Sequence, residues 1–252
     1  MTDQRITMEV KGHVLIITMV RHKKRNAIDG EMSLALDEAL NRLEDDNEIW
    51  AAVLTGGTDM FCAGTDLAGG SGEPTERGGI YGVVGRTRTK PLIAAVEGIA
   101  YGGGFEVAMA CDMIVAADNA RFGLPEVKRG LLPTSGAIFR AGRVLPLNIA
   151  KQVMLTGADL SAADGYRFGM VNEVTEPGAA LAAAVAMAEL ITANAPIGVQ
   201  QSLQAVEALD DEDNKLGWEL TVKAQTVMSK SDDCKEGIAA FFEKRTPVWT
   251  GR

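Results

Sequence analysis

Three short, unbroken apolar runs constrain this chain most: residues 49–54, 92–96 and 113–117 carry no polar residue at all. A strand with one wet face alternates, whereas a continuous run of five or six apolar residues is the pattern of a strand covered on both faces. The first run ends at Thr55-Gly56-Gly57, a sharp breaker. Because stretches with helical spacing separate these runs, the chain is expected to be α/β rather than a sandwich.

The flanking segments extend this reading. Residues 5–10 and 13–20 are β-rich and joined by Lys11-Gly12, so they are expected to form a hairpin. Asp29 is placed to cap a helix whose apolar positions Met32, Leu36, Ala39, Leu40 and Leu43 recur every three or four residues, with Glu38, Arg42 and Glu44 outward. Residues 68–79, with five glycines and a proline, are breaker-rich and are expected to be a mobile loop, either a lid or a surface excursion. Beyond Thr134 the periodicity is helical over 147–156, 161–168, 177–194, 197–209, 218–229 and 234–244, with one strand-like interruption at 170–175. The acidic run Asp210-Asp211-Glu212-Asp213 reads as a solvated junction between two of those helices. No repeat is visible, and no linker is wide enough to force two independent domains.

Composition narrows the function. At 46% apolar residues the chain is an ordinary folding sequence, and with 25 Lys+Arg against 34 Asp+Glu its formal charge is −9. That balance argues against nucleic-acid binding, which needs a basic face, and only Lys23-Lys24-Arg25 is locally basic. The three cysteines, Cys62, Cys111 and Cys234, are far apart with no Cys-x-x-Cys pair, so neither disulfides nor a metal site is expected. A reducing, cytoplasmic setting follows as the default. No signal peptide is visible, and no apolar run approaches the roughly 20 residues of a membrane span.

Several familiar motifs fail. The Gly102-Gly103-Gly104 run is not a dinucleotide fingerprint, because Val107 stands where Gly-x-Gly-x-x-Gly needs its last glycine. There is no Walker sequence and no Gly-x-Ser-x-Gly elbow, and the only histidines, His13 and His22, lie in or near the first hairpin. Two turns remain, each following a buried run. Around Gly64, in 61–67, small residues let a ligand approach the main chain. The glycines of 98–106 lead into a helical stretch and offer unpaired N–H groups. Two such turns together can hold one developing oxyanion. Glu106 sits just ahead of Val-Ala-Met-Ala-Cys, and Glu126 follows Pro125 between apolar residues; a carboxylate in such company is costly unless paired or used. Each alone is more often structural. With two sets of amide donors beside them, acid–base chemistry becomes the better reading.

These segments, with Asn26-Ala27-Ile28, the 118–126 string Asp-Asn-Ala-Arg-Phe-Gly-Leu-Pro-Glu and Leu155-Thr156-Gly157, resemble the enoyl-CoA hydratase/isomerase (crotonase) superfamily nearly end to end. Gly-Gly-Phe-Glu, Leu-Pro-Glu-Val-Lys and the tail from Phe241 look closest to carnitinyl-CoA dehydratases. The resemblance implies an α/β crotonase (ClpP/crotonase-like) spiral of ββα units over 1–195 and a helical C-terminal region over 196–252 that builds homotrimers, often paired into hexamers. It implies that the Thr65 and Gly103 amides hold the thioester oxygen of an acyl-CoA, and that Glu106 and Glu126 together bind the water that adds across the double bond. Coenzyme A would then be part of the substrate, with no separate cofactor and no metal. Its contacts are expected at Lys23, Arg25, Ala63, Asp66 and Leu67, and from Phe241 and Lys244.

The implied reaction is reversible syn hydration of a 2-enoyl-CoA. Alternatives are a carnitinyl-CoA dehydratase, whose quaternary ammonium would want aromatic faces among Tyr81, Tyr101, Phe105 and Trp50, an enoyl-CoA isomerase, and a non-catalytic CoA-binding scaffold. Isomerases of the family need one acid–base residue, so the glutamate pair favours hydration or its reverse. Thr134-Ser135-Gly136 replaces the more glycine-rich turn of straight-chain hydratases, which points to a different acyl pocket.

Overall fold

The computed structural model describes residues 4–250, apart from the side chains of 209–213. The expected hairpin is β1 (Ile6–Lys11) against β2 (Val14–Met19), antiparallel, with Gly12 at φ +58° in its turn. It starts a six-stranded sheet that continues through β3 (Ala51–Thr55), β4 (Leu92–Val96), β6 (Met113–Ala117) and β9 (Glu173–Thr175), all parallel from β2 onward. A second sheet joins β5 (Ile99–Tyr101), β7 (Arg121–Gly123) and β8 (Leu160–Ser161).

The unbroken apolar runs are strands buried on both sides, and their alternation shows why. From β2, β3 and β4, the side chains of Leu15, Ile17, Ala52, Leu54, Leu92 and Ala94 enter one core. The intervening Val14, Ile16, Ala51, Val53, Ile93 and Ala95 enter the other, beneath Ala180, Ala184 and Ala188 of α6 (Ala180–Thr192). Successive Cβ atoms point to opposite faces, so a strand serving two cores has no position left for a polar residue.

α1 (Gly30–Asp45) is capped as expected, the Asp29 carboxylate accepting from the Met32 amide at 2.9 Å, with Met32, Leu36, Ala39, Leu40 and Leu43 buried. The 68–79 loop, which comes after β3, is tied to this helix. Ser33 Oγ donates to Ser71 O at 2.7 Å, Thr75 Oγ1 to Asp37 Oδ1 at 2.7 Å, and Arg77 pairs with Asp45. The expected mobile excursion over 68–79 is therefore stitched to α1.

α2 (Gly103–Met109) leads to β6, and the second half adds α3 (Ala137–Val144), α4 (Leu147–Thr156) and α5 (Ala162–Arg167) before α6. Then comes α7 (Pro196–Met228), one continuous helix where two were expected, and α8 (Asp232–Glu243). The acidic run 210–213 lies inside α7 rather than at a junction, and its side chains lie outside the described residues. Among the described residues, no single helix is long and apolar enough to cross a membrane.

Candidate active site

The first turn is set by a buried side chain. Asn26, fully enclosed and at φ +52°, donates from Nδ2 to Gly56 O and Phe61 O, both at 3.0 Å, while its own carbonyl accepts from Cys62 Sγ at 3.1 Å. Burial pushes the Cys62 thiol up to about 12, so it stays protonated and can donate. Ile28 then pairs with the turn: its amide donates to Gly64 O at 2.8 Å, and the Asp66 amide donates to Ile28 O at 2.9 Å. Amides alternate sides along an extended segment, so the Thr65 amide between them is directed away from Ile28.

The second turn comes from β5 into α2. Gly102 takes φ +54°, its amide donating to Gly123 O at 2.9 Å, and Gly103 is the first helical residue, where an amide has no partner within its own helix. The two turns touch. A Cβ built on Gly64, itself at φ +96°, would lie 3.0 Å from Gly103 N and 2.8 Å from Tyr101 O, so no other residue fits at 64. Among the described residues, no backbone acceptor takes the Thr65 or the Gly103 amide. Both residues line one cavity of about 730 Å³.

Both glutamates line that cavity too, in different environments. Glu106, one turn into α2 and almost wholly buried, accepts at Oε1 from the Ser135 amide at 2.6 Å and the Ala137 amide at 3.0 Å. Burial raises its pKa, and these two N–H bonds oppose the rise by favouring the ionised form. Glu126 sits on a single 3-10 turn, Pro125–Arg129, that follows β7. Its Oε2 is buried with no hydrogen-bond partner, while its Oε1 lies beside Gly102. Burial, then the charge of Glu106, pushes Glu126 up to about 7.

The expected coenzyme contacts divide. Arg25, Ala63, Asp66 and Leu67 line the cavity, but Lys23 does not; its neighbour Lys24 takes that place. Lys23 and Lys24 lie in a 3-10 turn, His22–Lys24, which Arg25 closes, and in such a turn adjacent side chains point in different directions. Asp66 is already engaged, accepting from Arg21 at 2.8 Å, which holds its carboxyl below the usual range. Phe241 lines the cavity, whereas Lys244 closes α8 in a left-handed conformation and does not. Of the four aromatic candidates, Tyr81 and Tyr101 reach the cavity; Trp50 stacks on His13 and Phe105 is a core residue against Phe122. Among the described residues, no group of three or more His, Cys, Asp or Glu is placed to hold a metal ion.

Tyr81 does more than present a face. Its hydroxyl lies 2.6 Å from Thr65 Oγ1, and burial together with the charge of Glu106 raises its pKa, so it remains a neutral phenol. The sequence signal was the glycine bracket Gly78-Gly79-Ile80-Tyr81-Gly82, which marks a forced turn.

The model of the family described as Enoyl-CoA hydratase/isomerase matches residues 9–252. The chain belongs to the enoyl-CoA hydratase/isomerase family. An enoyl-CoA hydratase of Mycobacterium tuberculosis, EchA19, is 36% identical over 97% of this chain and 96% of its own length. A carnitinyl-CoA dehydratase of Salmonella typhi is 39% identical over 96% of each. Among solved structures, a carnitinyl-CoA hydratase from Mycobacterium avium superposes with a TM-score of 0.94 at 42% identity over the full length of both chains. Membership of the enoyl-CoA hydratase/isomerase family makes this the crotonase fold that the motifs implied. In this family member, the two glycine turns and both carboxyls occupy one cleft.

Proposed function

We propose that the protein is an acyl-CoA hydro-lyase that adds water reversibly, and to one face, across the Cα=Cβ bond of a 2-enoyl-CoA. The supporting observation is the pair of carboxyls with opposite surroundings beside two amides without backbone acceptors. The Thr65 and Gly103 amides hold the thioester oxygen and stabilise the negative charge that gathers on it as the nucleophile adds. Glu106, whose two N–H bonds favour its anion, takes a proton from water, and the resulting hydroxide oxygen bonds to Cβ. The displaced π-electrons reach the thioester oxygen, then return as Cα takes the proton of Glu126, whose buried Oε2 has no hydrogen-bond partner and which keeps its proton up to about pH 7. One proton has then passed from each side, and its return from Glu106 to Glu126 resets the site.

Coenzyme A is strongly anionic and the chain is acidic, so its binding rests on local cations; Lys24 and Arg25 stand exposed at the cavity. Coenzyme A enters as part of the substrate, and no further cofactor is called for. Apolar residues exposed on α7 and α8, among them Leu216, Val227 and Phe242, support self-association into a trimer or hexamer, which light scattering would read directly. The free thiols fit a reducing cytoplasm.

The test is loss of the conjugated-thioester absorbance with crotonyl-CoA and longer 2-enoyl-CoAs. Turnover is expected; tight coenzyme A binding without turnover of any of them would leave a scaffold protein instead. Two aromatic rings in the cavity, Tyr81 and Tyr101, favour crotonobetainyl-CoA as a second substrate, and a higher kcat/KM for it than for crotonyl-CoA would make the protein a carnitinyl-CoA dehydratase.

A further inference from the structure

Tyr81 is held at φ +60° and ψ 4°, a left-handed conformation that a bulky aromatic residue adopts only under constraint. Its neighbours enforce it. Gly79 and Gly82 are also at positive φ, +63° and +74°. A Cβ at Gly82 would strike Ser33 O and the Asp37 amide, so the turn is pressed on α1 with no slack. Arg86 Nη2 then bonds Asp37 Oδ1 at 2.5 Å, and Asp37 also holds Thr75.

The constrained ring ends at the cleft. The space that a side chain at 103 would need is filled by the Tyr81 hydroxyl, well inside van der Waals distance of where that Cβ would stand. The same hydroxyl is 2.6 Å from Thr65 Oγ1. One phenol thus touches both residues whose amides lack backbone acceptors, and the fold carries backbone strain to put it there.

We propose that Tyr81 is a positioning residue: wedged over Gly103 and hydrogen-bonded to Thr65, it fixes the spacing between the two amides that grip the thioester oxygen. The role rests on the hydratase reading for its chemistry, but not for its measurement. A Thr65 turn released from the phenol could rotate by a few tenths of an ångström, and a hydrogen bond aimed at a developing oxyanion weakens steeply with misalignment.

The probe is butyryl-CoA labelled with ¹³C at the carbonyl, which has no double bond to hydrate, read by isotope-edited infrared difference spectroscopy on the full-length protein. In the native protein, the carbonyl band is expected to shift to lower frequency on binding. Tyr81→Phe, which keeps the ring, and Thr65→Val, which keeps the amide, should each return the band toward its position in water. Removing a donor outright costs about a hundredfold or more in turnover, so losing its support should cost about tenfold in kcat for crotonyl-CoA with KM changed less than about threefold. The double variant should lose no more than either single one. A band that stays at the native bound frequency, with native kcat, in Tyr81→Phe would overturn the proposal, as would additive losses in the double variant. Should Tyr81→Phe fail to fold, the band in Thr65→Val decides alone. A native protein that polarises the butyryl carbonyl yet hydrates nothing would sink the hydratase reading while leaving the Tyr81 test intact.

Discussion

Gly64 and Gly103 meet so closely that a single methyl group on Gly64 would sit 3.0 Å from the Gly103 nitrogen and 2.8 Å from the Tyr101 carbonyl. Gly64→Ala must also adopt φ +96°, where an L side chain is strained. The expected result is a loss of at least about tenfold in kcat/KM for crotonyl-CoA together with a lower Tm. Steady-state kinetics with thermal melts checks both, and native values for the pair would show that the turns can part without consequence.

In the proposed reaction, replacing either carboxyl by its amide removes one proton-transfer partner without changing the shape of the side chain. Glu106→Gln and Glu126→Gln are each expected to lower kcat by about 10²–10⁴-fold. Circular dichroism should remain native, because in Glu106→Gln the side-chain carbonyl oxygen can still accept the Ser135 and Ala137 amides. A variant with near-native turnover would remove its residue from the reaction.

The pH dependence follows from Glu126. Hydration needs one carboxyl protonated and one ionised, so kcat/KM should fall above about pH 7 as Glu126 loses its proton, and fall again in acid as Glu106 gains one. Stability moves with the same group. Its folded pKa lies above the unfolded value, so the native state holds the proton more tightly. The associated stability is fully present below the ordinary carboxylate range and is lost as pH rises to about 7. Glu126→Gln should therefore stabilise the protein at pH 8 relative to pH 4, by at most about 3 kcal/mol. Denaturant melts at the two pH values measure the difference, and an equal effect at both would contradict it.

Away from the cleft, Arg88 and Asp112 form a buried two-point pair, Nη1–Oδ2 at 2.5 Å and Nη2–Oδ1 at 2.8 Å, and Asp112 Oδ2 also accepts the Leu92 amide. Arg88→Met would leave that carboxylate buried beside the start of β4. The expected cost is about 3–5 kcal/mol, read as a lower denaturation midpoint. Arg88→Met with Asp112→Asn should recover part of it.

How far the sequence discloses this molecule depends on the kind of signal. The buried strands and the Asp29-capped helix are legible because apolar spacing and capping chemistry are local. The glutamates stand out because a carboxylate among apolar residues is conspicuous. α7 reads as two helices because four consecutive acidic residues look like a junction, although the backbone stays helical through them. The short strands β5, β7 and β8 have too few residues for any period to register. Lys24 cannot be told from Lys23 without the 3-10 turn that aims them. Tyr81 is the largest gap: the glycine bracket around it marks a forced turn, but only the packing of Gly82 on α1 puts the tyrosine itself in the left-handed conformation.

The chain entering the first amide-bearing turn is paired with β5, which enters the second: Cys62 and Ala100 form a parallel bridge, the Tyr101 amide donating to Cys62 O at 2.9 Å. Neighbouring strands are separated by about 4.8 Å wherever a ladder forms, a distance no loop can stretch. The distance between the two turns is thus ruled by the pitch of that pairing. Side chains hung around the cleft can be exchanged to change what it holds, while the ruler beneath it stays unaltered.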